Sequence, residues 1–351
     1  MIALIMAGGA GTRFWPQSRN RLPKQFLRVM GDKSMIQLTL ARLTPLIPVS
    51  NIYVVTAASQ VPLVREHLPE LSEENIIIEP FGMNTAPCIA LSAAHLMNKY
   101  PASECMVVLP ADHIIRDTPA FLQSLVLAEK VARDGYLVTF GIIPEYPATG
   151  YGYIEAGEEL APGVRTVSRF KEKPDYMTAN HFLASGNFYW NSGMFCWTTD
   201  SIAKAFETHL PAALIIAKDI CRLQENGATE AEIATTYAQM PKTPIDIAIM
   251  EPAQSRAMIP VNYGWSDVGS WKALSDISPV DEEGNSFLGE GLALDSKDNY
   301  IYSNKFVALI GVENLCLVET EDAILISTKE DSEKVKNIVD TLKLKNKDNL
   351  L

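Results

Sequence analysis

The first 31 residues carry five basic side chains and no acidic one, although the whole chain has a formal net charge of -12. The five are Arg13, Arg19, Arg21, Lys24 and Arg28. They surround the glycine turn GGAGTR at 8–13, which follows a short apolar run. Because glycine has no Cβ, the backbone of such a turn can approach a phosphate chain and direct N–H groups at it, while Arg and Lys neutralise charge. The pattern favours a polyphosphate site over a tight turn without a ligand.

The turn lacks the marks of two common nucleotide-binding motifs. A dinucleotide-binding loop would have a third glycine where this chain has Phe14, and the Gly-Lys-Ser/Thr of a P-loop does not follow. These differences argue against a nicotinamide dehydrogenase. We expect a nucleotide to be bound here by Ala7, Gly8, Gly9, Gly11, Thr12, Arg13 and Lys24, with its phosphates at the three glycines and the two cations.

Two carboxylates are candidate metal ligands. Asp112 comes soon after the apolar run 106–109, at the end of a predicted strand, where parallel sheets gather their ligands. Asp267 lies in the loop YGWSDVGSW at 263–271. Mg²⁺ takes one or two carboxylates together with phosphate oxygens and water, so a magnesium site is expected. Capping of a loop or a helix is the alternative role for both residues.

The segment EPFGMNTAP at 79–87 joins a predicted strand to a predicted helix. Asn84 or Thr85 would cap that helix, with Pro87 in its first turn. A capped loop without a ligand is one interpretation. The other is a nucleobase pocket, because a carboxylate or loop carbonyls can accept hydrogen bonds from the ring N–H groups of guanine. The sequence leaves open which of Glu79, Asn84 and Thr85 would contact the base.

Residues suited to a sugar phosphate occur in the middle of the chain. A turn contains Gly150 and Tyr151, a strand end reads FKEKP at 170–174, and Asn191 lies in an aromatic-rich run. Sugar sites use carboxylates and amides for hydroxyl groups and a cation for phosphate. Glu172, Asn191 and Lys173 fit these three tasks. Taken singly, each segment is also compatible with a solvated strand end or with core packing.

These residues must be positioned by a sheet, because apolar runs alternate with helix-period segments through the first 140 residues, as in βαβ units. The predicted strands are Ile2–Met6, Asn51–Thr56, Asn75–Ile78, Cys105–Leu109 and Tyr136–Gly141. The predicted helices are Met35–Leu46, Gln60–His67, Ala86–Lys99 and Pro119–Arg133. Further strands are predicted at Tyr151–Glu155, Thr166–Lys171 and Phe188–Trp197, and mostly helix at 201–239. This α/β pattern predicts a mixed, mostly parallel sheet with helices on both faces.

The C-terminal part is predicted to be a small β-rich domain without a catalytic motif. Turn residues and charge are concentrated at 275–290, short β runs follow at 291–326, and a helix is predicted at Asp331–Leu342. We therefore divide the chain into a large α/β domain at 1–280 and a small domain at 281–351.

Composition disfavours several classes of protein. Apolar residues make up 47% and charged residues 21% of the chain, as in soluble globular proteins. The negative net charge disfavours a general nucleic-acid or anionic-membrane surface. Five scattered cysteines without a C-x-x-C pair favour free thiols in a reducing cytoplasm. No segment approaches 18 uninterrupted apolar residues and the first apolar run is too short for a signal peptide, so a cytoplasmic protein without a membrane span is expected.

The stretch AGGAGTRFWPQSRNRLPKQF at 7–26 resembles the signature of the sugar-nucleotide pyrophosphorylases. Its Trp15-Pro16, Ser18-Arg19 and PKQF details resemble the mannose-1-phosphate guanylyltransferase (GDP-mannose pyrophosphorylase) branch, and the later motifs match in order and spacing. The resemblance implies a Rossmann-like nucleotidyltransferase domain followed by a small left-handed parallel β-helix. It implies that Asp112 and Asp267 hold Mg²⁺ and that the sugar phosphate is bound by Gly150, Tyr151, Glu172, Lys173 and Asn191. One departure is PIDI at 244–247, where the family often has Ser-Ile-Asp-Tyr.

The implied reaction transfers GMP from GTP to α-D-mannose 1-phosphate and gives GDP-mannose and pyrophosphate. Its catalytic side chains would be Arg13, Lys24, Asp112 and Lys173, and a homodimer is expected. Two alternatives remain open: another hexose or heptose 1-phosphate or another nucleotide as substrate, and a regulatory homologue that binds sugar nucleotides without turnover. The second is disfavoured because binding alone does not require both metal carboxylates.

Overall fold

The computed structural model describes residues 1–9 and 11–351, so Ala10 of the glycine turn lies outside the described residues. They form two compact units. Unit 1 comprises 1–8, 39–111 and 115–265, and unit 2 comprises 9–38, 112–114 and 266–351. The division at 280/281 stays a prediction about domains. Unit 2 groups the segments 9–38 and 112–114 with the C-terminal part.

The described residues contain the following strands and α-helices. The strands are β1 Ile2–Met6, β2 Ile52–Ala57, β3 Ile76–Glu79, β4 Cys105–Pro110, β5 Ile114–Ile115, β6 Leu137–Ile142, β7 Tyr153–Ala161, β8 Val164–Lys171, β9 Phe188–Thr198, β10 Arg256–Val261, β11 Trp265–Ser266, β12 Ser286–Leu288, β13 Gly291–Leu294, β14 Tyr300–Tyr302, β15 Val307–Ile310, β16 Leu315–Glu319 and β17 Ile324–Thr328. The helices are α1 Met35–Leu43, α2 Val61–His67, α3 Thr85–Met97, α4 Thr118–Arg133, α5 Tyr176–Ser185, α6 Thr199–His209, α7 Pro211–Glu225, α8 Glu230–Tyr237, α9 Trp271–Ile277 and α10 Val335–Leu344. The strands and helices predicted for the first 140 residues are confirmed, with only small shifts of their ends.

Unit 1 is built on a nine-stranded mixed sheet in the order β3-β2-β1-β4-β9-β6-β10-β8-β7. Strands β1 to β4 are parallel, β10 is parallel to β6, and β9 is antiparallel to both β4 and β6. The predicted mixed α/β sheet is thus confirmed, with antiparallel pairing in its second half. Strands β1, β2 and β4 are apolar and buried almost throughout, as expected for strands covered on both faces.

The register places the carboxyl ends of the parallel strands along one edge of the sheet. Met6 is opposite Val55 on one side and Pro110 on the other, so β1 and β4 end together, while β2 continues to Ala57, opposite Glu79 at the end of β3. Alternate residues such as Ile2 and Leu4 pack into a core that includes α3, α6 and α7. The segments that follow β1, β3 and β4 in the chain are those that the sequence analysis assigned to nucleotide and metal.

Unit 2 contains short, mostly parallel strands from the C-terminal part of the chain, together with the N-terminal segment 9–38. Strands β12, β14 and β16 are parallel, β13 is parallel to β15, and β17 closes the set antiparallel to β16. Stacked amides connect successive turns: Asn299 donates to the Asn285 side chain at 2.9 Å, and the Leu315 N–H donates to the Asn299 side chain at 2.9 Å. The predicted C-terminal helix is present, as a 3₁₀ turn at Glu330–Lys334 continued by α10.

The N-terminal segment 9–38 packs against and is hydrogen-bonded to the C-terminal part of unit 2. Phe14 is buried and packs on Trp271 at 4.8 Å between ring centroids. The Trp15 indole donates to the Leu350 carbonyl at 2.8 Å, and the Trp271 indole donates to the Trp15 carbonyl at 3.0 Å. No helix of the described residues has the length and apolar character needed to cross a membrane.

Candidate active site

The glycine turn continues into a short 3₁₀ turn, Thr12–Phe14, and Gly11 is the residue at its N-cap position. Gly11 has φ +58°, and a Cβ at this position would overlap the Cβ of Lys24 and lie 2.8 Å from the Lys24 backbone nitrogen. Both the left-handed backbone and the close approach therefore require glycine. The turn thus brings its backbone against the segment that carries Lys24.

An open cavity of about 380 Å³ lies beside this turn, entirely within unit 2. It is lined by Gly11, Thr12, Arg13, Phe14, Lys24, Asp112, His113, Asp267, Gly269 and Lys336. Most of the residues predicted to bind phosphate and metal are therefore brought together. Lys336 is a lining residue that the sequence analysis did not identify, because an exposed Lys on a surface helix gives no local signal.

Lys24 is the central cation of this cavity. Its side chain is almost fully buried, and its ammonium donates to Asp112 Oδ2 at 2.8 Å and to the Asp267 carbonyl oxygen at 2.6 Å. It also lies 5.6 Å from the centre of the Phe14 ring. One ammonium group thus fixes both segments that carry the acidic side chains.

Asp112 is half-buried, and burial by itself raises the pKa of its carboxyl group. The positive charges of Lys24 and His113 and the hydrogen bond from Lys24 outweigh burial, so the pKa of Asp112 is lowered. The carboxylate form is therefore favoured. Asp267 Oδ1 accepts a hydrogen bond from the Gly269 N–H at 3.0 Å, which orients this second carboxylate.

In unit 1, Ala7 and Gly8 extend the end of β1. Ala7 is buried, its N–H donates to the Val55 carbonyl at 2.8 Å, and its carbonyl accepts from the Thr56 hydroxyl at 2.9 Å. A Cβ on Gly8 would lie 3.3 Å from Glu79 Oε2. In unit 2, the Gly9 carbonyl accepts from the Gln25 amide at 3.1 Å.

Glu79, predicted as a possible base contact, is 2% exposed at the end of β3. Its carboxylate accepts a hydrogen bond from the buried Tyr237 hydroxyl at 2.5 Å, and the Cys88 thiol is a second partner. Burial raises the pKa of Glu79, an effect that these hydrogen bonds partly oppose. No sequence motif predicts Tyr237 as a partner of Glu79, since it lies 158 residues further along the chain.

The other two residues of this loop form the start of α3. Asn84 is the N-cap and accepts from the Thr85 N–H at 2.8 Å, as one of the two capping predictions anticipated. The Thr85 hydroxyl instead accepts from the Ile245 N–H at 2.8 Å. A second hydrogen bond joins the same two segments: the Ala86 N–H donates to the Thr243 carbonyl at 3.2 Å. The loop and the segment 243–245 are thus joined by two hydrogen bonds.

The residues predicted to bind the sugar phosphate form a second group in unit 1. A Cβ on Gly152 would lie 2.7 Å from Glu172 Oε2 and 3.5 Å from the Asn191 Cβ, so glycine allows this close approach. Lys173 lies 3.2 Å from Glu172 in an exposed ion pair and has a left-handed backbone, φ 39°. A Cβ on Gly150 would meet nothing within 4 Å, and Tyr151 packs edge-on against Trp190 and Trp265.

Asp246 is the partner of Asn191 that the sequence analysis did not assign. Asn191 Nδ2 donates to Asp246 Oδ1 at 2.7 Å, while Asn191 Oδ1 accepts from the Gly193 N–H at 3.2 Å. Asp246 begins a π-helical turn, in which the Glu251 N–H donates to the Asp246 carbonyl at 2.7 Å. Burial raises the pKa of Asp246, opposed by the hydrogen bond from Asn191. Both ends of the Asn191 amide are thus held in one orientation.

Comparison with known proteins identifies the family of the chain. A nucleotidyl transferase family model matches residues 2–284, and a model of the mannose-phosphate isomerase/GMP-like β-helix domain matches residues 289–342. A mannose-1-phosphate guanylyltransferase from Salmonella muenchen is 43% identical over 359 residues, covering 99% of this chain and 74% of that protein. A mannose-1-phosphate guanylyltransferase from Klebsiella pneumoniae is 42% identical, covering 98% and 74%. The chain belongs to the mannose-1-phosphate guanylyltransferase family.

Solved structures resemble the chain over most of its length. A crystal structure of a protein named mannose-1-phosphate geranyltransferase, from Thermus thermophilus, has a TM-score of 0.89 and 31% identity and covers 97% of this chain and 99% of its own. A mannose-6-phosphate isomerase from Helicobacter pylori has a TM-score of 0.61 and 28% identity, covering 75% and 98%. The nucleotidyltransferase domain and the C-terminal β-helix-like domain implied by the resemblance are thus those of the guanylyltransferase family.

Enzymes of this family typically use a divalent metal. Among the described residues, no group of three or more acidic, His or Cys side chains forms a ready-made metal cage. Magnesium-like cations need only one or two carboxylates where phosphate oxygens and water complete the shell. The two carboxylates of the cavity, Asp112 and Asp267, therefore fit a hard cation that arrives with a nucleotide.

Proposed function

We propose that the chain transfers GMP from GTP to α-D-mannose 1-phosphate and releases pyrophosphate. The observation that carries this proposal is the cavity beside the glycine turn, in which Lys24 lies 2.8 Å from the Asp112 carboxylate. An oxygen of the sugar phosphate attacks the α-phosphorus of GTP, the bond to the bridging oxygen breaks, and its electron pair leaves with pyrophosphate. No general base is needed because the sugar phosphate is already anionic near neutral pH.

Such a transfer depends on positioning and on charge neutralisation rather than on covalent chemistry. We assign the phosphates to the backbone of Gly8, Gly9 and Gly11 and to the side chain of Thr12. Arg13 is exposed at the cavity and Lys24 is held within it, so both are suited to offset the charge of the leaving pyrophosphate. The Ala7 backbone is engaged in the sheet, which suits a role in fixing the start of this turn.

We further propose that the divalent metal is Mg²⁺ and that Asp112 and Asp267 hold it. When bound, the cation supplies charge neutralisation at the phosphates. The protein contributes the ionised form of Asp112, favoured by its lowered pKa, and the orientation of Asp267 by the Gly269 N–H.

The base and the sugar phosphate are assigned to unit 1. We propose that the loop at 79–85 binds guanine through Asn84, Thr85 and its backbone, and that the buried carboxylate of Glu79 shapes this loop. Gly150, Tyr151, Glu172 and Asn191 are proposed to bind mannose and Lys173 its phosphate. The orientation of the Asn191 amide by Asp246 and the closeness of Glu172 to Gly152 support this assignment.

A cytoplasmic homodimer also remains a proposal. The five cysteines are all free and buried in the structure, which suits a reducing compartment. Size-exclusion chromatography with light scattering would determine the oligomeric state directly.

The deciding experiment is release of pyrophosphate from each of GTP, ATP, UTP, CTP and dTTP, with mannose 1-phosphate or glucose 1-phosphate, with and without Mg²⁺. We expect Mg²⁺-dependent release with GTP and mannose 1-phosphate. Release with another pair would keep the phosphate site and overturn the specificity. Binding of GTP without release from any pair would favour a regulatory homologue.

A further inference from the structure

The C-terminal helix α10 contributes Lys336 to the cavity of unit 2. The other lining residues come from the glycine turn, from the segment around Lys24, from 112–113 and from 267–269. Lys336 is therefore a cation that the β-rich C-terminal segment adds to a site otherwise built from sequence motifs. This position suggests more than a structural role for the C-terminal segment.

The cations that line the cavity differ in how far their charge is balanced by an acidic partner. Lys24 is hydrogen-bonded to Asp112 at 2.8 Å, so much of its charge is already balanced. Neighbouring lysines are paired elsewhere: Lys334 lies 2.8 Å from Asp331 and Lys343 lies 3.7 Å from Asp340. Lys336 forms no such ion pair within the described part of the chain. Like the exposed Arg13, it faces the cavity as a cation without an ion pair among the described residues.

The backbone that carries Lys336 is fixed relative to the glycine turn. Val335 and Val339 of α10 are buried in the same hydrophobic cluster as Phe14 and Trp271. The Trp15 indole adds a hydrogen bond to the Leu350 carbonyl beyond the end of α10. The buried valines and this hydrogen bond hold α10 against the N-terminal segment of unit 2. The helix therefore keeps Lys336 at the cavity.

We propose that Lys336 is a catalytic residue that binds the two phosphates of GTP that leave as pyrophosphate; this rests on the proposed function. As the bond between the α-phosphorus and the bridging oxygen breaks, negative charge builds up on the departing pyrophosphate. These two phosphates are already anionic in GTP, so an ammonium group positioned there binds them both before and after the bond breaks and needs to transfer no proton. Lys24 cannot neutralise all of this negative charge because its ammonium group is also hydrogen-bonded to the Asp112 carboxylate.

The test compares K336M, which removes the charge, with K336R, which keeps it. K334M is the matched control, because Lys334 lies two positions away and outside the cavity lining. Steady-state kinetics are measured in both directions, with thermal unfolding to verify that each variant is folded. For K336M we expect KM for GTP and for pyrophosphate to rise about tenfold, as for loss of one charge-assisted contact. The KM values for mannose 1-phosphate and GDP-mannose should change by less than about twofold, because neither substrate carries the departing phosphates.

K336R should recover most of the loss, and K334M should behave like the wild type. Unchanged KM values for GTP and pyrophosphate in K336M would overturn the proposal, as would an equal change in K334M, which would indicate only a long-range effect of net charge. A wild type that releases no pyrophosphate would instead overturn the proposed function. In that case, titration of inorganic pyrophosphate against wild type and K336M would still test Lys336, with equal affinities contradicting it.

Discussion

The ammonium group of Lys24 bridges two segments far apart in the chain: it lies 2.8 Å from Asp112 Oδ2 and 2.6 Å from the carbonyl oxygen of Asp267. These partners are separated from Lys24 by 88 and 243 residues. A single side chain therefore binds the carboxylate of one candidate metal ligand, holds the backbone of the other and keeps a positive charge beside the glycine turn. Removing it should affect binding of phosphate, binding of metal and the ionisation of Asp112 together.

We predict that K24M lowers kcat by about 10²–10³, the usual cost of removing one transition-state donor. Burial raises the pKa of Asp112, and in the wild type the charges of Lys24 and His113 more than compensate. Without Lys24 the pKa should rise, so the acid limb of the pH–rate profile should move to higher pH. The measurement is kcat/KM against pH at saturating Mg²⁺. An acid limb that stays in place would contradict the coupling between Lys24 and Asp112.

Gly11→Ala should damage the site through geometry. The added Cβ would overlap Lys24, and φ +58° is unfavourable for alanine. We expect kcat/KM to fall about 10²-fold, since displacements of about 1 Å have this effect on catalytic geometry. Gly31→Ala is the matched control, because Gly31 has φ +75° but its Cβ would meet nothing within 4 Å. Equal losses in the two variants would show that backbone strain, and not the position of Lys24, is responsible.

The hydrogen bond from Asn191 to Asp246 predicts a non-additive double mutant. D246A should raise KM for mannose 1-phosphate about tenfold, because the Asn191 amide loses its fixed orientation. D246N can still accept from Asn191 and should recover much of this loss. In an N191A background, D246A should have little further effect, because Asp246 acts through Asn191.

Steady-state kinetics of the four variants in the cycle would measure this coupling. E251Q removes a carboxylate from the end of the same π-helical turn without removing the Asn191 partner, and serves as the control. Additive effects of D246A and N191A would assign Asp246 a separate role in the stability of the turn.

Glu79 predicts a pH dependence of stability. Burial raises its pKa above the ordinary value of 4.5, with hydrogen bonds from Tyr237 and Cys88 opposing this in part. A group whose pKa is raised on folding contributes its stability below the unfolded value and loses it as the pH rises through the folded value. The free energy of unfolding of wild type minus that of E79Q should therefore fall with increasing pH above about 4.5.

Urea unfolding of both proteins between pH 5 and pH 8 checks this prediction. E70Q removes an exposed carboxylate of the same unit and controls for net charge. A difference between wild type and E79Q that is independent of pH, or that increases with pH, would contradict the raised pKa of Glu79.

Much of the fold was predictable because its signals are local. The apolar runs of β1, β2 and β4 and the helix-period segments between them identify buried strands and their covering helices. The glycine turn, Arg13 and Lys24 were recognisable because glycines and charges lie within a few residues of one another. The insertion of β9 between β4 and β6 carries no such signal, since strand order is set by packing between distant segments.

The partners of the site residues were not predictable for the same reason. Tyr237 reaches Glu79 across 158 residues and Asp246 reaches Asn191 across 55, and neither pair is marked by a spacing. Phe14 packs on Trp271, and this contact between distant parts of the predicted domain 1–280 has no local signal. Burial of one aromatic ring can thus join segments that the sequence separates.

The hydrogen bond from Trp15 to Leu350 spans 335 residues and has a consequence for synthesis. Translation at about 5–20 residues per second separates these two residues by about half a minute. During this interval a nascent chain exposes Phe14 and Trp15 without their partners Trp271 and Leu350. Ribosome-bound chains should therefore keep these two aromatic side chains exposed, and the hydrogen bond from Trp15 should form only after Leu350 has left the ribosome.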